Sequence, residues 1–233
     1  MIKGHLMQLL GLYTGTIQRF GTGTRQSAID KQDNTQPLLL TKTGLISDQQ
    51  ADTVHHGGIE RALCHYPHEH YRYWQQQHSE QAPLFKVAGF GENCSTTGMT
   101  EDTIYIGDCY RLGQAVIQVS QPRKPCWKLN QRFSVPTMAK ETQDTGYTGW
   151  LYRVLEEGEI CVGDTFTLLE RPQPELSIAQ IIKAVYSEHF DKALLAQIVN
   201  CEVLSENWCG TAQRRYQSGQ QEDASARLLG EGL

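Results

Sequence analysis

The chain has 233 residues, 39% of them hydrophobic and 20% charged, with a formal net charge of −5. That length holds one full-sized core and a small appendage, and the acidic balance excludes a general nucleic-acid surface. No run approaches the ~18 apolar residues of a membrane span, and the broken apolar stretch "MIKGHLMQLLGLYTG" does not read as a signal peptide, so a cytoplasmic protein away from the membrane is expected.

From residue 8 to residue 170 the pattern is mainly short strands. "LLGLYTGTIQRF", "PLLLTKTGLI", "TIYIGDCYRL", "AVIQVSQP", "WLYRVLEEG" and "EICVGDTFTLLE" are rich in β-branched and aromatic residues, with Gly, Asp and Asn between them. One helix interrupts, because Pro67 suits a first helical position and "HEHYRYWQQQHSEQ" continues without a breaker. Two segments repeat a pattern: "IYIGDCYRL" (104–112) and "ICVGDTFTL" (160–168) both read Ile-x-aliphatic-Gly-Asp-x-aromatic-x-Leu. They predict two equivalent corners, where Gly-Asp bends the chain and Asp accepts local backbone bonds. Many short strands with such a repeat predict a closed barrel, which removes exposed sheet edges.

After "ERPQPE" the composition changes, and Pro172 and Pro174 mark a linker. Ser177, Asp191 and Ser205 stand as N-caps before three helical runs, and Gly219 reads as the last stop. From Gln220 onward the polar tail predicts a frayed end. The expected fold is mainly β: a closed β-barrel with an inserted helix over residues 1–171, then a small three-helix bundle with a polar tail over 172–233.

Seven cysteines without a C-x-x-C pair argue against a disulfide framework or a four-cysteine zinc site. Cys126 differs from most of the others, which sit in apolar runs such as "RALCHY" and "EICVGD" that predict buried small hydrophobes. In "QPRKPCWKLN" it stands among Pro122, Pro125, Arg123, Lys124 and Lys128. The prolines stiffen the loop, and the cations favour a thiolate. An inert cysteine in a proline-rich surface loop is the alternative.

Six of the eight histidines lie between His55 and His78. His65, His68 and His70 invite a zinc-type reading, although Pro67 interrupts a shared helical face. "HHGG" with Arg61 could cradle a phosphate: Gly57 and Gly58 admit a close backbone approach, and His56 and Arg61 supply donors. A tight turn with polar flanks is the plainer alternative. "GFGENCSTTG", with Glu92 and Asn93, is a second glycine-punctuated loop.

Taken in order, "VHHGGIERALCHY", "FGENCST", "YIGD" and "VSQPRKPCWKL" resemble the MOSC-domain family, and with the C-terminal helices its bacterial YiiM type, over roughly residues 8–218. One departure is "GLISD", where Ser47 replaces the family's usual second glycine. The resemblance implies a MOSC-like barrel and a molybdenum cofactor (Mo-molybdopterin) with Cys126 as metal ligand. It also implies a reductase that cleaves the N–O bond of N-hydroxylated compounds, such as hydroxylaminopurine-type bases, by two-electron oxo transfer to molybdenum. His56, Gly57, Gly58, Arg61, Asn93, Ser120, Gln121, Arg123 and Lys128 are the expected cofactor-binding residues. His56 and Asp108 are the candidate proton donors. Electrons would come from a separate reductase, with the protein a monomer or homodimer. Two other classes stay open: a sulfur-carrier or cofactor-handling module with a Cys126 persulfide, and either a metallohydrolase built on His65, His68 and His70 or a plain binding barrel.

Overall fold

The computed structural model describes residues 7–21, 24–53 and 57–230. Its strands are β1 (Gly11–Thr14), β2 (Gln18–Arg19), β3 (Gln26–Ser27), β4 (Gln32–Asp33), β5 (Leu38–Thr41), β6 (Gly44–Leu45), β7 (Leu63–His65), β8 (Cys94–Ser95), β9 (Cys109–Leu112), β10 (Ala115–Pro122), β11 (Trp150–Glu156), β12 (Gly158–Ile160) and β13 (Thr167–Glu170). Helices are α1 (Glu69–Gln77), α2 (Lys128–Phe133), α3 (Met138–Thr145), α4 (Ile178–Tyr186), α5 (Lys192–Val199), α6 (Glu206–Ser218) and α7 (Ser225–Leu229), with 3₁₀ turns at Ile59–Arg61 and Ser79–Leu84.

Eight strands form one sheet in the order β13-β9-β10-β11-β7-β8-β1-β4, antiparallel except for β7 beside β8. Along β11 the side chains alternate, so Trp150, Tyr152 and Val154 enter the core. β10 is buried at nearly every position. As a central strand it is covered on both faces, and the Ser205 amide of the helical region donates to its Ser120 carbonyl.

Two sequence expectations change here. Helices hold more of the described residues than strands do, so the fold is mixed α/β rather than mainly β. The expected closed barrel is also absent as a ladder, because β13 and β4 end the order without pairing. What joins the ends is a set of loop bonds: Leu9 N to Asp164 O (2.8 Å), Gly163 N to Leu9 O (2.9 Å) and Phe166 N to Met7 O (2.7 Å). Alternation along a strand reports which face is buried, not whether the sheet meets itself. α2 and α3 were also unforeseen, since "WKLNQRF" and "MAKETQDT" are too short to show a clear helical period.

The repeated corners take the same form. Asp108 Oδ2 accepts from Tyr105 N (3.1 Å), and Asp164 Oδ2 accepts from Cys161 N (2.8 Å). In each turn the aspartate amide donates back three residues, and the glycine before it has positive φ (80° at Gly107, 94° at Gly163). The three expected caps hold their helices. Ser177 makes a full capping box with Gln180, Asp191 accepts from Leu194 N, and Ser205 accepts from Trp208 N. Gly219 ends α6 at φ 70°. Of the cysteines, Cys94, Cys109 and Cys201 are buried, while Cys64, Cys126, Cys161 and Cys209 are half-buried. Cys64 and Cys161 thus depart from the apolar-run expectation.

One hydrophobic core spans both parts of the chain. Leu12, Ile117, Val119 and Tyr152 of the sheet share it with Ile178, Ile181, Leu195 and Trp208 of the helices. A second, aromatic cluster of Tyr66, Tyr71, Trp74, Phe85, Phe90 and Phe133 ties α1 to α2. In it Phe85 stacks on Phe133 at 4.3 Å, and Tyr66 on Phe90 at 4.1 Å.

His65 sits in the first core with no exposed surface. Its ring nitrogens lie 3.1 Å from Tyr152 Oη and 2.9 Å from Thr96 Oγ1, and it stacks on Trp150 at 4.3 Å. Burial lowers its pKa from 6.5 to about 3. The folded protein therefore binds this proton more weakly than the unfolded chain, and stability that is complete above pH 6.5 is lost as the pH falls toward 3. Urea unfolding in that window should show a slope of up to about 1.4 kcal/mol per pH unit from this group. The variant His65→Gln should lose that component of the slope; an unaltered slope would mean that His65 does not titrate this way.

Candidate functional site

The cysteine loop leaves the sheet at a bulge. Val119 pairs with Tyr152 and Gln121 with Leu151, so Ser120 is the extra residue. Its buried Oγ lies 2.6 Å from Glu60 O and 3.0 Å from Leu151 O. Glu60 belongs to the 3₁₀ turn that ends at Arg61, so this hydroxyl fixes that turn beside β10. Ser120 is thus an internal brace.

Gln121 follows, buried, with Oε1 lacking any hydrogen-bond partner. Arg123 comes next. Its backbone amide donates to Gly149 O (3.1 Å), and its Nη1 is buried and unpartnered. Gly149 has to be glycine, since a Cβ there would stand 2.1 Å from His65 O, at φ 69°. The Arg123 charge is felt inside the protein, where it pulls down the pKa values of Cys64 and Glu92. Burial outweighs it in both cases and leaves each group above its ordinary range.

Cys126 itself is half-buried and in no disulfide, just ahead of α2. Its carbonyl accepts from Leu129 N (3.0 Å), which turns the loop into the helix. Lys128, half-buried, opens that helix. Lys124 faces elsewhere: its Nζ donates to Thr211 Oγ1 (2.8 Å), lies over Trp208 at 5.3 Å and stands 3.9 Å from Glu222. Burial lowers its pKa to about 8. This cation serves the junction with α6.

On the facing turn Gly57 and Gly58 differ in their reasons. A Cβ on Gly57 would lie 2.9 Å from Thr53 O, whereas Gly58 needs its positive φ of 100° and has open space where a Cβ would stand. Arg61 is partly buried, which lowers its pKa against the opposing charge of Asp52. His56 lies outside the described residues.

Asn93 is fully engaged. Oδ1 accepts from Cys64 N (3.1 Å), and Nδ2 donates to Tyr13 O (3.2 Å) and Asp48 Oδ2 (2.8 Å). Asp48 also accepts from Gly15 N (2.7 Å) and pairs with buried Lys31 at 2.5 Å. Sequence reading overlooked this pair, which lies next to the departure at Ser47. No positive φ occurs at Ser47, so the missing glycine costs the turn nothing. Glu92 was overlooked as a site residue too, although it lies in the quoted "GFGENCSTTG". It is buried, with Oε1 accepting from Tyr71 Oη (2.5 Å) and Ala88 N (2.7 Å) and Oε2 unpartnered.

Asp108 is not placed as a proton donor. Its buried carboxylate takes two bonds from Arg171, both 2.8 Å, besides those from Tyr105 N and Tyr110 Oη. A carboxylate held this way is a corner fastening. The histidine reading also fails to assemble: His65 is a core residue, His70 bonds Glu101 at 2.7 Å, and His68 is exposed. Among the described residues no three His, Cys, Asp or Glu side chains group to hold a metal ion.

Residues 52–167 match the MOSC domain and residues 176–219 the YiiM-like, 3-alpha helix domain. The chain is 43% identical over 219 residues to protein YiiM of Escherichia coli, covering 94% of this chain and 97% of that one. A crystal structure of YiiM from Escherichia coli superimposes with a TM-score of 0.81 at 37% identity, covering 97% of this chain and 100% of the other. A Gibberella moniliformis protein named Reductase is 40% identical over 191 residues, which is 81% of this chain but 34% of that longer protein.

Asp108→Asn should cost about 2–4 kcal/mol in urea unfolding, because it breaks a bidentate pair whose carboxylate is wholly buried. The alkylation rate of Cys126 should stay as in the wild type. A stable variant would remove the corner role given to Asp108.

Proposed function

Since the chain belongs to the MOSC-domain family and carries the YiiM-like three-helix domain, we propose that it is a molybdenum-cofactor-dependent reductase of N-hydroxylated compounds, with Cys126 as the metal's protein ligand. The observation that carries this reading is a half-buried thiol on a braced loop, three residues from a buried, unpartnered Arg123 Nη1. The residues present fit the group. A soft metal centre takes a thiolate, and a phosphorylated pterin offers acceptors to Arg123 Nη1 and donors to Gln121 Oε1. When bound, the cofactor supplies two electrons that, with two protons, convert N–OH to N–H and water.

The chain's own residues bind and orient. Arg123, three residues before the thiol, brings a cation whose charge reaches Glu92, the Gly58 backbone leaves room for close approach, and Arg61 adds a second partly buried cation. Glu92 is the group best suited to hold a proton. Burial favours its neutral form, and Oε2 is the oxygen left without a partner. Glu92 therefore replaces Asp108 as proton donor in this proposal.

A separate electron-donating reductase belongs to the same reading. The match to one third of a longer protein named Reductase supports redox chemistry. Among the described residues no helix is long and apolar enough to cross a membrane. A cytoplasmic location and a small N-hydroxylated substrate complete the proposal.

Protein from molybdate-replete cells should contain molybdenum and pterin in stoichiometric amounts. Cys126→Ser should fold normally yet lose reduction of hydroxylaminopurine-type bases, because a hydroxyl is a poor soft ligand. Retained turnover in that variant, or a Cys126 persulfide without metal, would refute the assignment. Arg123→Ala should weaken cofactor retention about 10–100-fold with little change in stability; unchanged cofactor content would leave the arginine without this role.

A further inference from the structure

The last described residues, 220–230, are docked on the cysteine loop, contrary to the frayed tail expected from their polarity. Arg227 reaches both sides of Cys126. Its Nη1 donates to Pro125 O (2.6 Å), and its carbonyl accepts from Trp127 N (2.8 Å). The next residue, Leu228, is buried, and its carbonyl accepts from Asn130 Nδ2 (2.8 Å). Asn130 Oδ1 accepts from Ala139 N (2.7 Å), so the tail, α2 and α3 share one side chain. Gly230 lies against the Trp127 ring, where a Cβ would come within 3.1 Å of Cγ, and Arg25 covers that indole at 4.6 Å.

The tail is also anchored outside the loop. Arg227 Nη2 donates to Gln143 Oε1 (2.7 Å) on α3, and its guanidinium lies 5.5 Å from the Tyr186 ring on α4. Glu222 gathers Arg227 at 3.7 Å, Lys124 at 3.9 Å and Arg214 at 3.5 Å. Two prolines stiffen the loop but supply no amide donors. Arg227 thus holds a peptide group on each side of Cys126, beside the bond from Leu129 N to the Cys126 carbonyl.

We propose that the C-terminal segment is a strap that positions the Cys126 thiol, with Arg227 as its positioning residue. The proposal rests on Cys126 being the ligand thiol, and it gives the chain's end a part in holding that ligand still. A ligand on a loop is presented in one geometry only if its supporting contacts lock it. Here those contacts come from a residue 101 positions later in the sequence.

The test uses full-length protein made without molybdate, so that the thiol carries no metal. The half-buried thiol is alkylated through local openings of its loop, and losing the Arg227 side chain should raise the iodoacetamide rate at Cys126 about tenfold. Peptide mass spectrometry reads that rate beside Cys161, half-buried on another turn, which should not change in Arg227→Ala. An unchanged Cys126 rate, or equal acceleration of both cysteines, overturns the strap. In the wild type the Trp127 amide should be protected from hydrogen exchange, and rapid exchange there overturns it without any variant. Molybdenum missing from wild-type protein grown with molybdate would refute the proposed function while leaving both readouts intact.

Discussion

Ser120 joins three parts of the molecule at one point. Its hydroxyl lies against the carbonyls of Glu60 and Leu151, and its own carbonyl receives the Ser205 amide. The 3₁₀ turn with Arg61, the strand β11 and the cap of α6 are thereby set from one bulge. The chain leaves that bulge toward Gln121, Arg123 and Cys126, so the start of the cysteine loop is set where Ser120 is pinned. A hydroxyl suits this place because, buried among carbonyls, it can donate without adding charge.

The polar interior next to this seam is arranged in two states of satisfaction. Asn93, Asp48 and Lys31 have their bonds completed within the protein and hold β1, the Ser47 turn and β8 together. Glu92, Gln121 and Arg123 each keep one buried atom without a partner. Buried polar groups are normally paired, so under the proposed function the second set would meet the bound group and the first set would frame it.

Much of the local structure was legible. The Gly-Asp corners, the three caps and the αL stop at Gly219 depend on residue chemistry that acts over three or four positions, and a sequence displays such spacing directly. The cysteine loop was legible for the same reason, since its prolines and cations are neighbours. What stayed hidden depends on distant partners. Arg171 claims Asp108 across 63 residues, Asp48 claims Lys31 and Asn93, and Arg227 reaches Pro125. Tertiary pairing also decided that the strands form an open order with helices over it, which alternation alone does not encode. Composition made the tail look frayed because its few anchoring groups, Arg227 and Leu228, are outnumbered by polar neighbours.

The core that runs unbroken from Leu12 and Ile117 to Ile181 and Trp208 bears on how such chains can diversify. A helical appendage with its own interior could be exchanged, lost or moved to another protein as a cassette. This one shares its interior with the sheet, so removing it would strip the strands beneath and expose a broad greasy face. Drift on one side of that shared interior is then answerable to the other.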